Sequence, residues 1–365
     1  MALIKYTKLS LLTTLVLSVV ACSSNSSHNS KLNYSDKEKF GAKYKEHQYY
    51  PYAPYVPVKK IPSQKKIVNP NDFLYQLGNV QQYSDTLTKD YAHTYNKLAN
   101  WVRSGAKIQN LSSYGVNIQQ MTGEEGFKNV LMTGYYSPVV NARHTKIGQF
   151  QHPIYAMPRN KHFTREQIYN GALAGKGLEL AYSDSMLDNF LLGVQGSGYI
   201  DFGNGNLNYF AYAGQNGFKY VSIGRLLVED GEIPKEKMSI KAIREWGESH
   251  PNKVQGLLER NPSYVFFKND YSGKVKGSAG VPLIALASVA SDRNIVPSGT
   301  PLLVETPVVD EDGDWTGEHE MRLMVALDVG GAVKGQHFDI YQGIGKKAGR
   351  KAGLMKHYGR VWLLK

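Results

Sequence analysis

The chain has 365 residues, enough for two domains with their own cores, and its 42% hydrophobic and 20% charged residues exclude a disordered or fibrous protein. A formal charge of +12 suits a polyanionic partner. The cations are scattered, apart from pairs such as Lys59–Lys60, Lys65–Lys66 and Lys346–Lys347, and no nucleic-acid motif accompanies them, so a membrane face or an acidic wall polymer explains the charge as well.

At the N-terminus, Lys5 and Lys8 precede a short apolar run from Leu9 to Val20, too short to span a bilayer by itself. Val19-Val20-Ala21-Cys22 then matches the lipobox of bacterial lipoprotein signal peptides. Residues 1–21 are therefore read as a removed signal peptide and Cys22 as the lipidated first residue, whose several acyl chains would give stable attachment. Cys22 is the only cysteine, so no internal disulfide can form. Ser23 and Ser24 follow it with no Asp. By resemblance to other lipoproteins, this implies sorting to the outer membrane, facing the periplasm.

Residues 22–70 are polar, Lys-rich and broken by Pro51, Pro54, Pro57, Pro62 and Pro70, a composition expected of a tether. Within it, Tyr49-Tyr50-Pro51-Tyr52 could pack on a domain. From Asn71 to Arg103, Leu87, Tyr91, Tyr95, Leu98 and Val102 recur at helical spacing, with Ser84 or Asp85 as N-cap and Gly105 past the end. Strand character begins at Phe127–Val140. Thr164 with Gln167 makes a capping box, SMLDNFLLGV reads as a helix, and a hairpin is expected around Gly203–Asn206. Two helical runs lie between Met238 and Arg260. Beyond Ser263 the chain reads mostly as strands: SYVFFK, VPLIALASVAS, TPLLVETPVV, MRLMVALDVG and GRVWLLK. The order is helix, mixed α/β, then β, which fits either sequential domains or one inserted into another.

Several familiar sites fail on spacing. Asp310–Asp314 would need glycine and glutamate where Trp315 and Met321 stand, so it is an acidic hairpin turn rather than a calcium loop. Gly343-Ile344-Gly345 followed by Gly349 misses the dinucleotide fingerprint by one residue. There is no GxxxxGK[ST], GxSxG or HExxH, and neither a metal nor a cofactor is expected.

Three acids remain. Asp328 closes the apolar run Leu323–Leu327 and precedes Gly330-Gly331. Asp339 lies in His337-Phe338-Asp339-Ile340-Tyr341, where alternation puts His337, Asp339 and Tyr341 on one face. Asp292 follows VPLIALASVAS. A turn-capping or ion-pairing role is as plausible as function for Asp292, less so for Asp328, and least for Asp339. An acid beside apolar strand residues tends to a raised pKa, as a general acid near neutral pH requires.

The stretches ASVASDRNIVPSGTPL, MVALDVGGAVKGQHFDIYQGIGKKAG and HYGRVWLLK, with MTGYYSPVVNAR, HPIYAMP, GSGYIDFGNG and SIGRLLVEDGEI upstream, resemble the membrane-bound lytic murein transglycosylase A family from about Asp72 to Lys365. The resemblance implies a mainly β fold with helices, in which a double-psi β-barrel (71–136 plus 272–365) is interrupted by an inserted second β-barrel (137–271), with a groove between them. It also implies cleavage of the β-1,4 bond between N-acetylmuramic acid and N-acetylglucosamine in peptidoglycan, leaving a 1,6-anhydro end. Asp339 falls on the family's acid–base catalyst and Asp328 on a supporting acid. Asp292 falls on the third aspartate. Thr133, Gly134, Tyr135 and Tyr136 fall on a groove-lining segment, and His337, Tyr341 and Asp292 are further expected substrate contacts. One acid suffices because the sugar's own C6 hydroxyl is the nucleophile. The expected partners are glycan strands and the outer membrane, not nucleic acid. A monomer is expected, and wall-synthesis proteins stay open as further partners. A muramidase using water, or a non-catalytic wall-binding lipoprotein, is the competing expectation.

Overall fold

A computed structural model describes residues 53–123 and 128–365. The expected signal peptide, Cys22, Tyr49–Tyr52 and the rest of the tether up to residue 52 lie outside the described residues. The tether's expected end at residue 70 is corrected. Tyr55–Val58 (β1) pairs antiparallel with Ile118–Met121 (β2), and Ile61 and Ile67 are buried in the core. Each apolar residue inserts singly between prolines and lysines, which an average over composition does not register.

The helical stretch divides into Pro70–Tyr83 (α1) and Asp85–Arg103 (α2). Ser84 leaves helical geometry (φ −145°, ψ 96°), and its hydroxyl accepts from the Leu87 N–H at 3.3 Å, starting the second helix as an N-cap. Tyr95, Leu98, Trp101 and Val102 form the buried stripe of α2.

Val130–Ser137 (β3) leads into a separate six-stranded sheet. Its strands are Val139–Arg143 (β4), His152–Tyr155 (β5), Glu179–Ser183 (β6), Gly198–Asp201 (β7), Leu207–Gln215 (β8) and Val265–Asn269 (β9), in the order β5-β6-β4-β7-β8-β9. A bridge between Ala156 and Phe267 brings the two edges together. The expected capping box forms at Arg165–Tyr169 (α3), and Ser185 caps Met186–Gln195 (α4). The hairpin β7–β8 turns through Gly203 and Gly205, whose positive φ values (79° and 81°) only glycine adopts without strain. Ile223–Glu229 (α5), Ile240–Ser249 (α6) and Pro251–Glu259 (α7) pack with α4 around Phe190, Leu227, Trp246 and Leu258.

The chain then returns to the first sheet through Ser288–Ala290 (β10), Pro301–Val309 (β11), Trp315–Asp328 (β12), His337–Ile344 (β13) and Lys356–Leu364 (β14). Strands β14, β11, β12, β10, β13 and β3 pair in sequence, and β3 pairs back onto β14, closing a six-stranded barrel. Two pairings, β10–β12 and β13–β3, are parallel. Met132, Val289, Met324, Phe338, Ile340 and Leu363 fill the interior.

Two expectations within this region are corrected. VPLIALASVAS yields only the three-residue strand β10, because Leu286 takes a left-handed φ of 59° and the preceding loop is fixed by side chains. Buried Gln76 donates to the Pro282 carbonyl at 3.0 Å and accepts from the Ile284 N–H at 2.8 Å. The C-terminal region also contains a helix, Gly345–Leu354 (α8), between its last two strands.

Candidate active site

The parallel register of β13 on β3 sets Asp339 beside Thr133 and Tyr341 beside Tyr135. Because Phe338 and Ile340 point into the barrel, the alternate residues point out of it. Thr133, Tyr135, His337, Asp339 and Tyr341 therefore share the outer face.

Asp339 is half-buried, and Thr133 Oγ1 donates to its Oδ1 at 2.7 Å. Burial pushes the carboxyl up from 3.8 to about 6; the Thr133 hydrogen bond opposes this and the Asp328 charge adds to it. Asp328 is the better-anchored neighbour. Its Oδ1 accepts from the N–H groups of Ser278 and Val329, both at 2.9 Å, and its Oδ2 accepts from the Tyr135 hydroxyl at 3.0 Å. Burial nevertheless holds Asp328 above its usual range, with those hydrogen bonds opposing it. Burial first, then the charges of Asp328 and Asp339, push the Tyr135 phenol well above its ordinary value, so it stays a donor.

Asp292 is built differently. It lies in the turn after β10, where its carboxylate accepts from the N–H groups of Gly335 and Asn294, both at 3.1 Å. Burial pushes it up, but these hydrogen bonds and the Lys334 charge outweigh burial and hold it below the usual carboxylate range. It ties the 330–336 loop to its own turn.

The four residues of the 133–136 segment divide between two faces. Thr133 and Tyr135 face Asp339. Gly134 and Tyr136 do not: a Cβ on Gly134 would lie 2.9 Å from Ala352 Cα, and one on Gly349 would lie 2.7 Å from the Tyr136 ring. Strand alternation turns every second side chain of this segment onto α8. Tyr341 is 2% exposed, bonds Ser137 Oγ at 3.1 Å and packs against Tyr135 at 5.3 Å between ring centroids. His337 is also buried, with Nε2 2.8 Å from Thr133 Oγ1. Among the described residues, no group of three or more His, Cys, Asp or Glu could hold a metal ion.

Two family models match: the MltA specific insert domain over residues 131–268 and the 3D domain over 287–365. The chain is 53% identical over 302 residues to the membrane-bound lytic murein transglycosylase A of Escherichia coli (strain K12), covering 82% of each chain. It is 48% identical over 297 residues to that of Vibrio cholerae serotype O1, covering 80% of this chain and 81% of the relative. The chain belongs to the membrane-bound lytic murein transglycosylase A family. The crystal structure of E. coli MltA with bound chitohexaose superposes with a TM-score of 0.85 at 49% identity, over 90% of this chain and 98% of that one.

Thr133–Tyr136 fall within the insert-domain match, and Asp292, Asp328, His337, Asp339 and Tyr341 within the 3D match. Sequence reasoning missed Ser278, which anchors Asp328 through its backbone, and Ser137, which anchors Tyr341. It also missed Tyr199 and Tyr209 of the insert, which join the core cluster of Tyr341. Ser278 acts through a main-chain N–H, which leaves no residue-type signal. Tyr209 lies on the hairpin strand β8, and only its tertiary placement distinguishes it from neighbouring tyrosines.

Proposed function

We propose that this chain cleaves peptidoglycan glycan strands between N-acetylmuramic acid and N-acetylglucosamine, with Asp339 as its single acid–base catalyst and a 1,6-anhydro end as product. The observation that carries this reading is the inequality of the two neighbouring carboxyls. Asp339, raised to about 6, keeps a fraction of its acid form close to neutral pH; Asp328 has both oxygens committed to three donors. A two-carboxyl hydrolase needs the second group free to attack or to activate water. In the proposed reaction, Asp339 gives its proton to the glycosidic oxygen as the C1–O bond breaks. The muramoyl O6 then bonds to C1 and returns its proton to Asp339. Asp328 and Tyr135 support this cycle by holding charge and geometry beside Asp339.

Glycan recognition is supported by the chitohexaose complex of the E. coli relative. The division into a barrel (71–136 with 272–365, extended at its start by Tyr55–Val58) around an insert (137–271) is supported by the two sheets and by the family matches. Attachment to the outer membrane through lipid on Cys22, facing the periplasm, is supported by the lipobox and by the relatives' designation as membrane-bound. Among the described residues, no helix is long and apolar enough to cross a membrane. Incorporation of labelled palmitate into the wild type and its loss in Cys22→Ala tests the anchor.

The decisive experiment is mass spectrometry of digested sacculi. Products lighter by one water than the hydrolytic fragments support the lyase reaction, whereas reducing ends alone would establish a muramidase. Binding without any product would leave a wall-binding lipoprotein.

A further inference from the structure

Three side chains on the outer face of the β3–β13 pair meet at one hydroxyl. Thr133 Oγ1 lies 2.7 Å from Asp339 Oδ1 and 2.8 Å from His337 Nε2, while the other ring nitrogen, Nδ1, lies 3.3 Å from the Ala332 carbonyl oxygen. Burial holds the His337 imidazole below its ordinary range, with the Ala332 hydrogen bond opposing, so the neutral ring is favoured.

Counting protons shows what this chain of contacts can satisfy. A threonine hydroxyl donates once, a neutral imidazole once, a carboxylic acid once and a carboxylate not at all. With Asp339 ionised, the Thr133 proton is committed to the carboxylate. The single ring proton then serves either Thr133 or Ala332, and the remaining nitrogen faces an oxygen lone pair. With Asp339 protonated, Oδ1–H donates to Thr133, Thr133 donates to Nε2, and Nδ1–H donates to Ala332. A carboxylate with an imidazolium is equally complete, with every arrow reversed up to the ring. The chain is fully bonded when Asp339 and His337 hold one shared proton, and one bond short when they hold none. In a buried setting, an unmade hydrogen bond costs more than a made one contributes.

We infer that Thr133 and His337 are positioning residues forming a one-proton relay behind Asp339, which favours the loaded acid in the resting enzyme. The relay rests on the reading of Asp339 as the acid. During cleavage, the Asp339 O–H bond breaks as the glycosidic oxygen gains the proton, leaving the chain one bond short. Return of the O6 proton to Asp339 restores the bond, so the relay favours turnover without consuming or releasing a proton of its own. The other titratable groups around it are Asp328 at the end of β12, Tyr135 on β3 and Tyr341 on β13. Lys356, the exposed register partner of Thr133 on β14, and Lys334, in the loop before β13, are the nearby cations by position.

The test is an NMR titration of the full chain with 15N-labelled histidine and 13C-labelled aspartate carboxyls, with His337 assigned by its loss in His337→Gln. The His337 Nε2 resonance is expected to step at the Asp339 carboxyl midpoint in the wild type and to lose that step in Thr133→Val, which removes the hydroxyl and leaves both charges. A flat Nε2 through that midpoint, or a step that survives in Thr133→Val, overturns the relay. Kinetics give a second arm. In His337→Gln, the high-pH limb of kcat/KM is expected about half a pH unit or more lower than in the wild type, because Thr133 is then free to serve the carboxylate alone. The same substitution made on Thr133→Val should leave the limb where that single variant has it. A limb unmoved by His337→Gln counts against the relay, since a merely structural histidine would scale the rate at every pH. Should Asp339→Asn keep its turnover, the acid assignment fails on its own, while the NMR arms still report whether the hydroxyl couples the two groups.

Discussion

Arg165 and Asp339 are both ionisable groups set among apolar neighbours, one in the insert and one on the outer wall of the barrel, and the fold treats them in opposite ways. Arg165 is 5% exposed and well partnered. It donates to the carbonyls of Asn261 (3.1 Å) and Ser263 (2.5 Å) and to the Tyr169 hydroxyl (2.9 Å), and the rings of Phe190, Tyr264 and Tyr169 lie 4.7, 5.1 and 5.5 Å away. Among the described residues, Asp339 has one side-chain hydrogen-bond partner, Thr133. A charge held by several partners fixes structure, whereas a charge left short of partners keeps a proton in play.

The largest expected effect lies on the under-partnered side. Asp339→Asn should lower kcat by about a thousandfold with sacculus binding retained, since a positioned acid contributes rate rather than affinity. Near-normal turnover would remove Asp339 from the chemistry. The pH dependence follows from the same proton. The acid form is lost as pH rises through about 6, so kcat/KM should fall there. Linkage fixes the sign for stability: the folded chain keeps this proton up to about 6 while the unfolded chain releases it near 3.8, so folding becomes less favourable as pH rises through that window. By urea unfolding at pH 8, the Asn variant should therefore be more stable by about 2 kcal/mol, discounted for partial exposure.

On the well-partnered side the pattern reverses. Arg165→Met should cost about 3 kcal/mol in urea unfolding, because two buried carbonyls lose their donor and three rings lose a cation. The kcat of the folded fraction should change by less than about threefold, as expected of a side chain outside the reacting face. A large drop in kcat without loss of stability would erase the contrast.

Tyr135→Phe tests the intermediate case. It removes one of the three donors to Asp328 and should reduce kcat by about tenfold, on the order of 1.4 kcal/mol, with KM little changed. An unchanged kcat would show that Asp328 needs only its two backbone donors.

The legible part of this molecule was what period and face could carry. Alternation alone put His337, Asp339 and Tyr341 on one face, and the barrel interior took Phe338 and Ile340. The capping box at Thr164 and the glycine hairpin were local and came through intact. The helix α8 was not legible, because Gly345, Gly349 and Gly353 lower its intrinsic propensity. Two close approaches explain part of its glycine content: Gly349 receives the Tyr136 ring, and Gly134 on β3 meets Ala352. The same packing turns Gly134 and Tyr136 toward α8, while Thr133 and Tyr135 face Asp339. The run VPLIALASVAS looked like a strand because its apolar residues are buried; Gln76, from a distant helix, holds it as a loop. Long-range partners of this kind leave no trace in local pattern.

Asp292 gives the smallest expected effect and the sharpest check on the comparison, because resemblance grouped it with Asp328 and Asp339 while its contacts group it with Arg165. Its two main-chain donors and the Lys334 charge hold it below the usual range against burial, so it is a satisfied structural anion. Asp292→Ala should cost about 1 kcal/mol at neutral pH, the usual size for a lost hydrogen-bonded turn anchor. For a carboxyl whose folded pKa is depressed, the stability is present above the unfolded pKa and lost as pH falls through the folded one. The difference between variant and wild type should thus shrink below about pH 4. Turnover should stay within about threefold, because the 330–336 loop keeps its other contacts and Asp339 keeps Thr133. A collapse of kcat with stability intact would instead place Asp292 beside Asp339, and the division between well-partnered and under-partnered charges would have to be redrawn around three acids rather than two.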